Sequence, residues 1–266
     1  MRSATPARGY FRSGLPFNRI GHGPRPLVVV QGLLFEHKPQ PRFALGPYSF
    51  LGDRSTVFVV LRRPGMPPGY SMADMAADVA TTIRQEFGGP VDVIGVSTGG
   101  SIVQHLAADH PDVVRRLVIH SSACALSSAA RDLQLRVAEL ASERRWTEAS
   151  ELLVDAVVPR RGIPPRARPL IVWPVSRLMS WFGRPADPND LIVTILAEDV
   201  HDFRGRLHEI TAPTLVVAGT EDPFYSEALF RETAAGIPGA KLILYPGIGH
   251  PARGKQFARD VLAFLG

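Results

Sequence analysis

Cysteine is almost absent: Cys124 is the only one in 266 residues, so no intrachain disulfide can form and no cysteine cluster can hold a metal. No stretch reaches the roughly 18 uncharged apolar residues that a membrane-crossing helix needs. The first 25 residues carry Arg2, Arg8, Arg12 and Arg19 but no continuous apolar core of a secretion signal. The expectation is a cytoplasmic chain with no membrane span. Lysine is scarce, with 3 against 27 arginines, which reads as a composition habit and not a site. Acid is scarce at the start, where residues 1–63 hold ten Lys or Arg against only Glu36 and Asp53 and net +8. The whole chain nets +5, so the remainder nets −3. Such asymmetry can mark a polyanion-binding face. These bases are scattered among Pro and Gly without interleaved aromatics or a basic helix, so the reading is a solvated, Arg-rich surface and no nucleic-acid partner.

What is present is an ordinary globular balance, 45% hydrophobic and 21% charged with a mean hydropathy of +0.04, which excludes disordered and fibrous classes. The length allows two small domains or one large α/β domain. Leu27-Val30, Val57-Leu61 and Val91-Ile94 are short apolar runs bounded by Gly, Pro or charge and read as buried strands. Between the second and third, Met75, Val79, Ile83 and Phe87 recur every four positions, a helical period over 72–87. Ser71 is placed to cap that helix, and Gly88-Gly89-Pro90 ends it. A helix over 99–109 and a strand over 117–120 follow, and strands alternating with helices predict a doubly wound, mostly parallel sheet.

From about 126 to 206 the rhythm changes to helices only, over 128–145, 147–157, 169–182 and 188–200. The alternation then resumes with strands at 214–218 and 241–245 and helices at 226–235 and 255–265. The expected organisation is an α/β core, residues 1–125 and 207–266, with residues 126–206 as an inserted all-helical cap.

The most informative segment is Val91-Asp92-Val93-Ile94-Gly95-Val96-Ser97-Thr98-Gly99-Gly100, a strand running into Gly-x-Ser-x-Gly and then a helix. The pattern alone is weak, and its strand-turn-helix setting makes it strong. Such a turn presents Ser97 at the sheet's carboxyl edge beside a helix N-terminus, whose dipole favours developing negative charge. A serine hydroxyl needs a base, and the base an orienting acid. Asp222 follows the strand at 214–218, and His250 follows the strand at 241–245. Carboxyl ends of parallel strands are where open α/β sheets bind ligands, so Ser97, Asp222 and His250 are expected to converge. Glu221 adjoins Asp222 and is the rival for the acid.

With the order Ser, acid, His, the sequence resembles the α/β-hydrolase family from about Leu27 to Leu265, with the helical insertion where that family carries its cap. The resemblance implies backbone N–H donors for an oxyanion at Leu33 and Thr98. Two departures stand out, Gln31-Gly32 for the family's His-Gly and Leu61-Arg62-Arg63-Pro64-Gly65 for its Asp-x-Arg-Gly. Leu34, His120, Trp146, Trp173 and Trp181 are candidate pocket residues; a histidine placed like His120 is more often a satisfied structural one, and at least half of the tryptophans read as cap core. The remaining histidines show no metal-site pairing, and neither a metal nor a cofactor is expected.

The resemblance implies a serine hydrolase working through an acyl-enzyme, and the Leu-, Val- and Trp-rich helical insertion points to a small to medium apolar ester; a small molecule is the expected partner and a homodimer is compatible with the sequence. Alternatives on the same scaffold are a cofactor-free haloperoxidase-like perhydrolase, a carbon–carbon bond hydrolase, and a non-catalytic ligand-binding or docking protein. Epoxide hydrolases and dehalogenases are disfavoured, because they carry Asp where Ser97 stands.

Overall fold

A computed structural model describes residues 7–159, 162–183 and 185–266, and the side chains of residues 42–46, 179 and 181–183 lie outside that description. The apolar runs form an eight-stranded sheet ordered β1-β2-β4-β3-β5-β6-β7-β8. In chain order these are β1 (Arg8–Tyr10), β2 (Pro16–Ile20), β3 (Arg25–Val30), β4 (Ser55–Val60), β5 (Val91–Val96), β6 (Val114–His120), β7 (Thr214–Gly219) and β8 (Lys241–Tyr245). The strands from β3 to β8 pair in parallel. Two antiparallel N-terminal strands extend the edge beside β4; the sequence pattern gave no sign of them. Their apolar anchors Phe11, Leu15 and Phe17 pack with Phe58 under the sheet, so part of the basic N-terminal segment is an edge of the fold.

Successive side chains in a strand point to opposite faces. Val28 and Val30 therefore share one core with α1 (Met72–Phe87), α2 (Thr98–Asp109) and α7 (Glu227–Gly236). Leu27 and Val29 share the other with Tyr48, Leu51 and α8 (Lys255–Leu265). Burial on both faces explains why these strands read as unbroken apolar runs. Helix α1 starts at a capping box in which Ser71 Oγ accepts from Asp74 N and Asp74 accepts from Ser71 N. It stops where Gly88 turns left-handed at φ 70°.

Between β6 and β7 run four helices, α3 (Ser128–Ser142), α4 (Trp146–Val157), α5 (Arg168–Gly183) and α6 (Asn189–Asp199). Of these, α3, α4 and α6 share a core around Val137, Leu140, Trp146, Leu191 and Ile195, to which Phe35 adds its ring. Among the described residues no helix is long and apolar enough to cross a membrane.

Candidate active site

Strand β5 ends at Val96, α2 begins at Thr98, and one residue makes the turn between them. Ser97 sits there at φ 53° and ψ −128°, backbone that a side-chain-bearing residue adopts only when its surroundings impose it. The imposition is close backbone packing. A Cβ at Gly99 would lie 2.1 Å from Val30 O, so a larger residue would push α2 off the sheet.

His250 stands on the loop after β8, and Asp222 on the loop after β7. His250 Nε2 is 3.0 Å from Ser97 Oγ, and His250 Nδ1 is 2.7 Å from Asp222 Oδ2. The Asp222 carboxylate is wholly buried, and its other oxygen accepts from Phe224 N (2.9 Å) and Tyr225 N (3.2 Å). Two backbone donors and the imidazole hold the charge where water does not, and they assign the Nδ1 proton to the Asp222 side. The Asp222 carboxylate, and not that of Glu221, thus meets the histidine.

His120 is buried behind this loop. Its Nε2 donates to Ala252 O (2.8 Å), its Nδ1 accepts from Tyr48 OH (3.3 Å), and its ring stacks on Phe257. Ser121 Oγ accepts from Ala252 N (2.9 Å), so two residues at the end of β6 fix the segment two positions past His250. Burial pushes the His120 pKa down to about 3, keeping the ring neutral and its bonding pattern fixed.

The turn after β3 passes over the serine. An ideal Cβ on Gly32 would lie 3.1 Å from Ser97 Cβ and 3.7 Å from Oγ. Arg62, buried at the end of β4, donates from Nη1 to Gln31 O (2.9 Å), from Nη2 to Gly32 O (2.8 Å) and from Nε to His37 Nε2 (3.1 Å). Burial, reinforced by the Arg62 charge, lowers the His37 pKa to about 3, leaving a neutral acceptor. In a planar trans peptide the C=O and the next N–H point opposite ways. Holding Gly32 O toward Arg62 therefore turns Leu33 N–H to the other side of the loop. Where the resembling family carries a histidine at position 31, this chain steadies the loop with a buried guanidinium.

Beneath Thr98 lies an acid the sequence did not reveal. Glu198 of α6 is fully buried. It accepts from Thr98 Oγ1 (2.7 Å), Ser101 Oγ (3.0 Å), Gln134 Nε2 (3.1 Å) and Tyr225 OH (3.2 Å). Desolvation raises its pKa, and the four donors pull the other way. The carboxylate links α2, α3, α6 and the loop that carries Asp222. In sequence it is one acid among Asp190, Glu198 and Asp199 on an apolar helix, with nothing to mark it.

His250 and Asp222 line a cleft of about 940 Å³ whose far wall is the end of α4, Ala156 to Pro159, with Glu221 and Arg253 at its sides. Ser97 is partly exposed, one hydrogen bond behind His250. Leu34 and His120 line a separate cavity of about 330 Å³ together with Gln31, Tyr48, Arg253 and Phe257. The structure does not bring Trp146 or Trp173 to the cleft. Trp146 is buried against Phe35 in the helical insertion, their ring centroids 5.9 Å apart, because its indole completes the packing of α3, α4 and α6. Trp173 is 56% exposed on α5, and the side chain of Trp181 lies outside the described residues. Among the described residues no group of three or more His, Cys, Asp or Glu could hold a metal ion.

A family model described as "Alpha/beta hydrolase family" matches residues 15–260. The putative carbamate hydrolase RutD of Variovorax paradoxus (strain S110) is 28% identical over 211 residues, 74% of each chain. The poly(3-hydroxyalkanoate) depolymerase of Ectopseudomonas oleovorans is 32% identical over 155 residues, 58% of this chain and 52% of that one. Among solved structures, a hydrolase from Pseudomonas aeruginosa PA01 superposes with a TM-score of 0.79 at 22% identity, covering 100% of both chains.

Proposed function

The chain belongs to the alpha/beta hydrolase family, and from that premise we propose that it hydrolyses carboxylic esters or closely related acyl compounds through an acyl-enzyme on Ser97. The observation that carries the reading is the continuous line Ser97 Oγ, His250 Nε2, His250 Nδ1, Asp222 Oδ2, with steps of 3.0 and 2.7 Å. It stands at the carboxyl ends of parallel strands, beside an open cleft. His250 takes the serine proton as Oγ adds to the carbonyl carbon, and buried Asp222 stabilises the imidazolium that forms. Leu33 N–H and Thr98 N–H hold the oxyanion; a donor of this kind contributes about 3 to 4 kcal/mol to the transition state. His250 then gives its proton to the leaving alcohol. Water, deprotonated in turn by His250, releases the acid and restores Ser97.

Residues 126–206 act as a cap in this reading, and the wall that α4 contributes to the cleft supports it. The rim there is Ala156, Val157, Val158 and Pro159, which suits a small to medium apolar ester. A putative carbamate hydrolase and a poly(3-hydroxyalkanoate) depolymerase among the relatives support hydrolysis as the reaction type. A fluorophosphonate probe should label the native chain and leave Ser97→Ala unlabelled. p-Nitrophenyl esters of graded length should be turned over by the native chain. Asp222→Asn should lose up to about 10⁴ in kcat, and Glu221→Gln less than about tenfold. Labelling that survives Ser97→Ala would overturn the assignment.

A further inference from the structure

Helix α5 is built inside out. Among its described side chains the buried positions are Val172, Ser176 and Ser180, while Leu170, Ile171, Trp173, Val175 and Leu178 face solvent, Leu170 at 77% and Leu178 at 56% exposure. Ser176 Oγ donates to Val172 O (2.6 Å) and Ser180 Oγ to Arg177 O (3.0 Å), with Thr147 Oγ1 of α4 at 3.4 Å from Ser180 Oγ. Ser176, satisfied on its own helix, gives no reason to turn the apolar side outward. A contiguous exposed apolar face of this kind marks a contact surface.

Charge says what covers it. Residues 158–186 contain six arginines and no Asp or Glu, a net of +6 in a chain whose total is +5. Arg166 and Arg177 are exposed, and neither has a carboxylate partner among the described residues. The Arg177 guanidinium lies 4.7 Å over the Trp173 ring, a cation held on an aromatic that sits in the apolar face. Glu151 and Asp155 of α4 border the face beside Trp173, and Asp155 is taken up by Arg168, which leaves Arg166 and Arg177 as free cations on it among the described residues. Leu, Ile and Trp on an exposed face with such arginines is the pattern of a helix lying in the interface of an anionic bilayer. A second copy fits poorly, because a two-fold contact sets a patch against itself and would bring Arg166 and Arg177 of both copies together.

We propose that α5 is a docking surface for an anionic lipid membrane, engaged by Leu170, Ile171, Trp173 and Leu178 with Arg166 and Arg177 at the headgroups. Helix α5 packs on α4, and Arg168 donates to Asp155 and to Val158 O and Pro159 O. Docking would thus bring the α4 wall of the cleft close to the lipid surface, where apolar compounds partition.

Sedimentation with sucrose-loaded vesicles tests this without reference to catalysis. The full chain should bind vesicles of phosphatidylcholine containing about 30% phosphatidylglycerol at least tenfold more tightly than pure phosphatidylcholine, and about 0.5 M salt should weaken that binding tenfold or more. Leu170→Asp with Leu178→Asp should abolish it while far-ultraviolet circular dichroism and turnover of a soluble ester stay at the native level. Arg166→Glu with Arg177→Glu should also abolish it, with Leu170, Ile171 and Leu178 left in place. Binding that survives both pairs overturns the proposal. So does absence of vesicle binding, and a dimer in size-exclusion chromatography with light scattering that Leu170→Asp and Leu178→Asp split would then give the face to a second copy.

Discussion

At the scale of single residues, Arg62 has the most to say about how the loop over Ser97 is held. A guanidinium holds two carbonyls at once because its donors lie in one rigid plane, and Gln31 O and Gly32 O sit where that plane reaches them. Lysine offers a single point of attachment and methionine none. Arg62→Lys is expected to lose about 10²-fold and Arg62→Met up to about 10³-fold in kcat, the range for an oxyanion donor put out of place, while KM moves less than about threefold. A trifluoromethyl ketone, whose adduct carries the oxyanion, should weaken in parallel with kcat, whereas a ground-state product analogue should not. Equal losses in kcat and in product-analogue affinity would reduce Arg62 to a folding role. Ser97, Asp222 and His250 were legible in the sequence because each follows a recognisable strand. Arg62 was visible only as a departure from the family pattern, since its partners are backbone carbonyls 30 and 31 positions away.

At the scale of elements, the long helices and central strands were readable because burial on one stripe or on both faces writes itself into residue spacing. The predicted helix over 72–87 has those bounds in the structure, and the predicted helix over 128–145 stops at Ser142, before the left-handed Arg144. Strands β1 and β2 were not readable: β2 carries Pro16, Asn18 and Arg19, and its place is set by pairing with β4, a partner some forty residues on. Helix α6 shows what periodicity omits. Its Asp190 accepts from Gly65 N and Met66 N at 2.9 and 2.8 Å, and its Glu198 accepts from four side chains under Thr98, so two carboxylates tie the insertion to the core. The tryptophans separate by burial in the same way. Trp146→Ala removes a buried ring and should cost about 3 to 5 kcal/mol of stability, whereas Trp173→Ala should cost under about 1 kcal/mol. Val157→Phe, at the cleft wall, should move ester preference toward shorter acyl chains by about 10-fold or more in kcat/KM. Urea titrations and the graded ester series measure both. A Trp173→Ala loss matching that of Trp146→Ala would contradict the exposure seen on α5.

At the scale of the whole molecule, three neutral histidines couple the fold to pH. Burial lowers His37, His120 and His201 to about 3 each, with the Arg62 charge adding to the effect at His37. They sit in different places: His37 under the loop that Arg62 holds, His120 behind the loop that carries His250, and His201 past the end of α6, stacked on Phe203 with a buried Nε2 that has no partner among the described residues. Their folded pKa values lie below the unfolded value near 6.5. Below that pH the unfolded chain takes up protons that the fold refuses. Their stabilisation is therefore whole above about pH 6.5 and is lost as pH falls toward 3, by about 1.4 kcal/mol per pH unit for each ring. Glu198 and Asp92 are shifted upward by burial and take up protons earlier in the fold than in the unfolded chain, which offsets part of the loss. The balance still falls on the side of acid lability, since a domain of this kind holds about 5 to 15 kcal/mol in total. His201 isolates one term, because its ring makes no hydrogen bond that a variant would break. Between pH 7 and pH 5 the native chain should lose about 2 kcal/mol more in urea unfolding than His201→Phe, whose phenyl keeps the stack on Phe203 and cannot titrate. If the two lose stability equally over that interval, His201 is not the proton-refusing group its burial makes it.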